Sequence, residues 1–246
     1  PSTKQQLMQL AHDDPRYIIE SGFWIPNKHK VIVPFVFNNN QNEFYDNRTI
    51  RDDILKGSQF GVTSEILALW TVKFLLVPNS WSISVSHVAE STDKFFERAK
   101  FFLDRLPVWL RPFLEFDINN KRVMTNKIMN SLFYIGTAGG RDFGRGDTIH
   151  YAHLSESSRW KDENKTVTGI MRAVPPTDPN TWVIKETTAN GEGNLHHKEY
   201  VRAKDGKSEF KAHFLVWFKH EEYTIPGAQL DHSTYDEAEK HLLKRY

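Results

Sequence analysis

Hydrophobic side chains recur along this chain at two spacings, and each spacing predicts one kind of element. Between residues 63 and 77 they recur every three or four positions, as in an amphipathic helix, and the same spacing returns between residues 90 and 106. Between these two segments Trp81, Ile83 and Val85 alternate with serines, which is the pattern of a strand. The pattern therefore predicts helices that alternate with strands.

Several other segments have the composition of strands. They are short, largely apolar and bounded by polar turns, and they span residues 47–56, 122–125, 131–136, 148–154, 181–186 and 211–218. Strands that alternate with helices over this length imply a mainly parallel sheet covered by helices on both faces. The predicted fold class is therefore α/β, and ligands of such a sheet bind at the carboxyl ends of its strands.

Composition narrows the class of protein without choosing a function. A hydrophobic content of 39% with 13% aromatic residues is enough for a substantial core. The sequence has no cysteine, which excludes disulfides and thiolate metal sites and fits a reducing cytosol. The formal net charge is +1, so any contact with nucleic acid must come from a local patch. We expect no membrane span, since no apolar run approaches ~18 residues, and no secretory signal.

The segment from Lys56 to Thr63 has the composition of a phosphate-binding loop. It reads Lys-Gly-Ser-Gln-Phe-Gly-Val-Thr and lies between a predicted strand and a predicted helix. The common form of this loop, G-x-x-x-x-G-K-[ST], has its lysine directly before the Ser or Thr. Here Val62 occupies that position and the lysine stands first. The alternative is a strand-to-helix turn with an incidental lysine and threonine.

The chemistry of ATP assigns a role to each position of this loop. Lys56 is predicted to neutralise phosphate charge across the loop, and the hydroxyl of Thr63 is predicted to bind Mg²⁺. Consecutive backbone N–H groups in front of a helix N-terminus bind phosphate, and two glycines make the backbone permissive. The residues predicted to surround the nucleotide phosphates in this way are Gly57, Ser58, Gln59, Phe60, Gly61, Val62 and Thr63.

A second candidate element is an apolar strand that ends in Leu154, Ser155 and Glu156. In hydrolytic P-loop enzymes the first of two acidic residues at such a strand end holds Mg²⁺ through water, and the second orients the attacking water. Here the first position is Ser155, which could contact a metal-bound water but carries no charge. Glu156 is the predicted catalytic carboxylate. The alternative is a buried strand with a glutamate that faces solvent.

A third candidate element follows the strand predicted at residues 181–186. Thr187, Thr188 and Asn190 lie at its end, where hydroxyl and amide groups could sense the γ-phosphate and couple its loss to movement. The alternative is an ordinary polar turn built on Asn-Gly.

In this order the three elements resemble those of the ATPase domain of the large terminase subunit, the DNA-packaging motor of tailed bacteriophages. That family can carry its loop lysine at the first position, a Leu-Ser-Glu strand end and a coupling motif of the Thr-Ala-Asn-Gly type, as at residues 188–191. The likeness covers roughly residues 20–225. One departure is Gln59, where the family often has arginine. The resemblance implies a P-loop NTPase core of the RecA-like, ASCE kind.

The resemblance also assigns roles to residues outside the three elements. Residues 37–41 are similar to the element that recognises adenine, with phenylalanine in place of leucine, which implies that Gln41 contacts the base. Residues 144–146 resemble a segment that offers an arginine finger to a neighbouring subunit. Arg145 is the first candidate for this finger and Arg141 the second; the alternative for either is a surface salt bridge. A finger in trans implies a homo-oligomeric ring, and we expect the isolated chain to be monomeric.

The resemblance implies ATP and Mg²⁺ as cofactors, and double-stranded DNA, the portal protein, the procapsid and the small terminase subunit as partners in the host cell cytoplasm. The expected organisation is an N-terminal arm at residues 1–30, an ATPase core at 31–220 and a lid or linker at 221–246. In the family this linker leads to a nuclease domain, which we expect to be missing here.

Two other functions stay open at this point. One is a helicase-like DNA translocase, which would normally contain a second RecA-like lobe that we do not expect in this chain. The other is a nucleotide-binding assembly module without hydrolysis, in which the neutral Ser155 reflects lost activity.

Overall fold

The structure, a computed structural model, describes residues 3–139, 148–223, 233 and 235–245. Its strands are β1 (Trp24–Pro26), β2 (Ile32–Pro34), β3 (Arg51–Lys56), β4 (Trp81–Ser86), β5 (Phe116–Asn119), β6 (Val123–Asn126), β7 (Ser131–Thr137), β8 (Tyr151–Ser155), β9 (Trp182–Thr187) and β10 (Lys211–Leu215). Its helices are α1 (Lys4–Asp13), α2 (Pro15–Gly22), α3 (Asn39–Asn47), α4 (Val62–Leu76), α5 (Ala89–Asp104), α6 (Glu163–Ala173), α7 (Leu195–Lys204) and α8 (Glu237–Arg245).

Eight strands form one central sheet in the order β10-β3-β9-β8-β4-β7-β6-β5. Every pair from β10 to β7 is parallel, whereas β6 pairs antiparallel with β7, and β5 pairs antiparallel with β6. Strands β1 and β2 form a separate antiparallel pair. The predicted α/β class with a mainly parallel sheet is confirmed. Because β9 lies between β3 and β8, the carboxyl ends of these three strands meet at one edge.

Three strand predictions were too long, and one of them started at residue 148, whereas β8 begins at Tyr151. Residues 47–50 end α3 and turn into the sheet, so β3 begins only at Arg51. The edge strand β10 ends at Leu215. Residues Trp217–Lys219, which were predicted to continue it, form a 3₁₀ turn in which Trp217 is 63% exposed. The prediction was too long because the apolar and aromatic run continues beyond Leu215, the last residue of β10 that pairs with β3.

Helix α4 supports the phosphate-loop segment and is buried on all sides. Its residues from Glu65 to Leu76 are all buried, so the prediction of an amphipathic helix here was wrong. The reason is that α1 and α2 pack on the side that would otherwise face solvent, while the sheet covers the other side. Within the described ranges no helix is long and apolar enough to span a membrane.

A buried lysine joins the N-terminal helices to this core. The Nζ atom of Lys73 on α4 donates a hydrogen bond of 2.6 Å to the carbonyl of Ala11, in the last turn of α1. Carbonyls at a helix C-terminus have no partner within the helix, so the ammonium satisfies a group that would otherwise be buried unpaired. The same Nζ lies 4.2 Å from the centroid of the Trp182 ring, a favourable cation–π distance.

The charge on Lys73 should make the stability of the fold depend on pH. Burial, followed by repulsion from Arg48, lowers the pKa of Lys73 from 10.5 to about 7. Between these two values the unfolded chain binds more protons at this site than the folded chain, so the free energy of unfolding rises with pH. We expect this group to contribute a rise of up to ~1.4 kcal/mol per pH unit between pH 7 and about 10.

Urea unfolding at pH 7, 8 and 9 measures this slope, and Lys73→Met is the matched variant because it removes the titrating group and keeps an unbranched stem. The slope should fall in the variant by the stated amount. Equal slopes in both proteins would show that Lys73 does not titrate in this window.

Candidate functional site

The candidate site lies at the carboxyl ends of β3, β9 and β8, in front of the N-terminus of α4. Lys56 ends β3 and Ser155 ends β8. Of the predicted coupling residues, Thr187 ends β9 and Thr188 follows it directly. Thr63 lies in the first turn of α4. The ends of parallel strands form one edge, so residues that are far apart in sequence meet here.

The loop between β3 and α4 adopts a conformation that requires glycine at one point. Gln59 and Gly61 both have positive φ angles, 61° and 78°. A Cβ atom on Gly61 would lie 2.9 Å from Nε2 of Gln41, so this position needs glycine both for its backbone and for space. Phe60 is buried between these two residues and anchors the loop to the core.

Side-chain donors bind three of the loop's carbonyl oxygens. These bonds run from Tyr223 Oη to the Ser58 carbonyl at 2.6 Å, from Asn38 Nδ2 to the Phe60 carbonyl at 3.1 Å, and from Gln41 Nε2 to the Gly61 carbonyl at 2.9 Å. A loop that binds phosphate presents its N–H groups to the anion and needs its carbonyls satisfied elsewhere. The donors therefore suit an anion-binding loop, and the helix dipole of α4 adds to it.

Gln41 contributes to this loop through both ends of its amide. It is buried at the third position of α3, where its Oε1 accepts from the backbone N–H of Asn38 and completes a capping box. Its Nε2 holds the Gly61 carbonyl. A small cavity of about 110 Å³ lies beside it, lined by Asn38, Asn39, Asn40, His220 and Glu222. The contact between Gln41 and an adenine base stays a prediction.

Lys56 lies inside the site and is ion-paired with two carboxylates. Its Nζ is 2.9 Å from Oε2 of Glu186 and 3.5 Å from Oε1 of Glu156. Burial opposes the charged form, but the attraction of Glu186 and Glu156 outweighs it and raises the pKa of Lys56. The lysine at the first loop position is therefore a buried, charged group beside the predicted catalytic glutamate.

Glu186, the penultimate residue of β9, is a site residue that the sequence pattern does not single out. It is fully buried, and its Oε1 accepts a 2.9 Å hydrogen bond from Thr63 Oγ1 and lies 3.2 Å from His153 Nε2. Burial opposes ionisation, but Lys56 and His153 outweigh it and lower the pKa of this carboxyl. The sequence feature that could have identified Glu186 is its position, since it is a charged residue at the end of a strand predicted to lie in the core.

Glu156 is hydrogen-bonded directly to Thr187 and Thr188, the predicted coupling residues. Its Oε2 accepts hydrogen bonds from Thr187 Oγ1 at 3.2 Å, from the Thr188 N–H at 3.2 Å and from Thr188 Oγ1 at 3.0 Å. Its backbone has a φ of 52°, in the left-handed region that costs a non-glycine residue roughly 1 kcal/mol or more. These bonds and the turn after β8 stabilise that strained position.

The remaining predicted residues differ in how close they lie to this cluster. Asn190 reaches it through Ser158, since its Nδ2 donates to the Ser158 carbonyl at 2.9 Å and Ser158 Oγ lies 2.7 Å from Thr187 Oγ1. Arg141 and Arg145 lie outside the described residues. The arginine-finger prediction therefore stays a prediction.

The surroundings of Thr63 fit a small, hard cation. Its hydroxyl lies beside the Glu186 carboxylate, and the buried Ser155 is the register partner of Glu186 on the neighbouring strand. Carboxylate oxygens suit Mg²⁺, which proteins commonly hold with one or two groups together with substrate phosphates. Over the part of the chain that the structure describes, no cluster of three or more His, Cys, Asp or Glu side chains could hold a metal ion.

Known proteins resemble this chain in structure rather than in sequence. No protein-family model matches the sequence, and no curated protein sequence matches it. The large terminase of bacteriophage HK97 matches the structure with a TM-score of 0.65 at 19% identity, over 82% of this chain and 43% of that chain. The large terminase ATPase domain of a Thermus phage matches with a TM-score of 0.58 at 14% identity, over 74% of this chain and 82% of that one.

A third match is the large terminase of a thermophilic bacteriophage in complex with ADP. Its TM-score is 0.53 at 12% identity, and the match covers 85% of this chain and 50% of that one. The chain thus spans about half the length, or less, of the HK97 and ADP-bound terminases that it matches. Likeness at these identities concerns the fold, and the chain has the fold of a phage large terminase ATPase domain.

Proposed function

We propose that this chain is the motor domain that hydrolyses ATP to drive double-stranded viral DNA into a procapsid. The observation that carries this proposal is a continuous run of polar contacts from the loop lysine to the coupling motif. Lys56 lies 3.5 Å from Glu156, which in turn accepts hydrogen bonds from Thr187 and Thr188. The fold shared with phage large terminases, one of them solved with ADP, supports the same function.

In this proposal the phosphates of ATP bind the N–H groups of residues 57–63 at the N-terminus of α4. The triphosphate then competes with Glu186 and Glu156 for the ammonium of Lys56. Thr63 would hold Mg²⁺ directly and Ser155 through a water molecule, and the ion, when bound, would offset the charge on the phosphate oxygens. Lys56 adds a second positive charge that is already desolvated, so its attraction to phosphate is stronger than at an exposed site.

Glu156 orients the water that attacks the γ-phosphate. Its Oε2 is fixed by Thr187 and Thr188, while its Oε1 faces Lys56. When phosphate draws Lys56 away, Oε1 is released to accept a proton of the attacking water. Since Thr187 and Thr188 touch the same carboxylate, loss of the γ-phosphate is transmitted to the segment after β9, which includes Asn190.

The wider assembly is proposed from the resemblance described above. Gln41 lies near the adenine, and Arg145, or else Arg141, acts in trans on the neighbouring nucleotide of a homo-oligomeric ring. The isolated chain is then monomeric and hydrolyses ATP slowly. Residues 1–30 form an arm, 31–220 the core and 221–246 a lid or linker towards a nuclease domain. DNA, portal protein, procapsid and small terminase subunit are the proposed partners, in the host cytoplasm.

A nucleotide-binding assembly module without hydrolysis is the second candidate, and the neutral Ser155 favours it. The two functions differ in one measurement, the ATP turnover of the full-length protein with procapsids and DNA. Nucleotide binding without turnover under those conditions would favour the assembly module.

Lys56→Ala and Glu156→Gln should each lower ATP turnover of the assembled motor by at least ~10²-fold, since each removes a group that acts on the transferred phosphoryl or the attacking water. Glu156→Gln should still bind nucleotide, because the amide keeps the shape of the side chain. Glu199→Gln is the control for a lost carboxylate, because Glu199 is a half-buried residue of α7 that pairs with Arg202 at 3.4 Å. Normal turnover in either site variant would exclude this assignment of roles.

Thr188→Val should uncouple hydrolysis from movement. The variant removes the hydroxyl bond to Glu156 and keeps the backbone bond from the same residue. We expect DNA packaging, measured by nuclease protection, to fall by a larger factor than ATP turnover. Thr168→Val, which removes an exposed hydroxyl bond on α6, is the matched control. Equal losses of packaging and turnover would contradict a coupling role.

Arg145→Ala should bind nucleotide normally and lower the turnover of the assembled ring, since an arginine finger in trans contributes ~10³–10⁵ to phosphoryl transfer. In rings that mix Arg145→Ala with Lys56→Ala subunits, an Arg145→Ala subunit keeps its own lysine and can receive the arginine of a Lys56→Ala neighbour, so turnover should recover in part. No recovery in the mixture would argue for a role in cis, and the same mixture with Arg141→Ala compares the two candidates.

A further inference from the structure

We propose that Glu186 supplies the metal-associated carboxylate that the Leu-Ser-Glu strand end lacks, so that this acidic role lies on β9 instead of β8. The proposal rests on the ATPase function above and adds a residue to its site. The magnesium-associated charge would then come from the strand next to the one that carries the catalytic glutamate.

The need for such a group follows from the composition of the β8 end. ATPase sites of this kind commonly have a carboxylate directly before the catalytic glutamate, where its charge attracts the hydrated metal ion. Here that position is Ser155, and together with Thr63 it offers hydroxyls only. Divalent magnesium is commonly bound with the help of one or two carboxylates. The site would be short of one negative charge if nothing replaced it.

Glu186 lies where the missing carboxylate is needed. It is the register partner of Ser155 across the parallel pair of β8 and β9. Register partners in a parallel pair direct their side chains to the same face, and Glu186 contacts Thr63 of α4, so both side chains lie on the sheet face that carries α4. Its Oε1 accepts the hydroxyl of Thr63 at 2.9 Å, and Thr63 is the residue proposed to bind the ion. The carboxylate is thus already in contact with the metal-binding hydroxyl.

The two oxygens of Glu186 have different partners. Oε2 pairs with Lys56 at 2.9 Å, whereas Oε1 faces Thr63 and His153. A counter-ion for Lys56 alone would need only the first contact, and Glu156 already lies 3.5 Å from the same ammonium. Because Oε1 is directed at Thr63 and not at Lys56, Glu186 has a contact that the role of counter-ion does not explain.

Burial adds to this reasoning. Two positions earlier on the same face β9 carries Ile184, which fills the core as expected for a strand with two covered faces. A carboxylate in the same row is costly to bury even when it is paired. Asp53 is also a buried strand carboxylate, so the feature that distinguishes Glu186 is its contact with Thr63.

The test is the enhancement of nucleotide binding by Mg²⁺, measured as the Kd of a fluorescent ADP analogue in EDTA divided by its Kd in Mg²⁺. Glu186→Gln should reduce this enhancement about 10-fold, the lower end of the loss seen when a carboxylate that orients a metal site is removed. Adding Ser155→Asp to that variant returns a carboxylate to β8 and should restore most of the enhancement. ATP turnover is not needed for this measurement.

Asp53→Asn is the matched control. Asp53 is a buried strand carboxylate paired with Lys185 at 2.8 Å, on the opposite face of the sheet from α4. Its loss should lower the thermal stability and leave the Mg²⁺ enhancement unchanged. Should Glu186→Gln fail to fold, Glu186→Asp keeps the negative charge but draws the carboxylate back by one methylene from both Lys56 and Thr63, and a reduced enhancement is again expected.

The outcomes separate this inference from the proposed function. The inference would be overturned if the Mg²⁺ enhancement of Glu186→Gln stayed within twofold of the wild type. The same holds for Glu186→Asp if it replaces that variant, and Glu186 would then be only a counter-ion of Lys56. Failure of Ser155→Asp to restore a lost enhancement would also count against it. A wild-type protein that binds no ADP would overturn the ATPase function itself.

Discussion

One buried positive charge organises this end of the molecule. The ammonium of Lys56 is almost inaccessible to water, and a charge in that position persists only with partners of opposite sign. Its partners are Glu186 at 2.9 Å, which lies on β9, and Glu156 at 3.5 Å, which directly follows β8. The ion pairs therefore link the ends of β3, β9 and β8, and any anion that binds the loop must exchange with them.

The order of strands places the end of β9 beside both Lys56 and Glu156. Because β9 lies between β3 and β8, its end stands between Lys56 and Glu156, the proposed catalytic glutamate. Glu186 faces the lysine and Thr63, while the next two residues, Thr187 and Thr188, bind Glu156. A single strand end thus touches both halves of the proposed ATPase site, which is a direct physical route from bound phosphate to the segment that follows β9.

Local patterns predicted much of this fold, and tertiary contacts explain what they did not predict. Periodicity located α4, β4 and α5 to within a few residues, because their side chains pack with regular spacing. It misjudged the exposure of α4, since that depends on contacts with α1 and α2, which are distant from α4 in sequence. The glycines and lysine of residues 56–63 predicted the loop. Glu186 was not predicted as a site residue, because its contact with Lys56 depends on β9 being the strand beside β3.

The central claim is that the nucleotide phosphates take over the charge of Lys56 from the carboxylates. A crystal structure of the protein with Mg²⁺ and a non-hydrolysable ATP analogue tests this directly. The account predicts phosphates on the N–H groups of residues 57–63, with the Lys56 Nζ in hydrogen-bond contact with a phosphate oxygen and farther from Glu156 than 3.5 Å. A nucleotide bound elsewhere, or bound at this loop with the Lys56–Glu156 contact unchanged and no phosphate on Lys56, would contradict it.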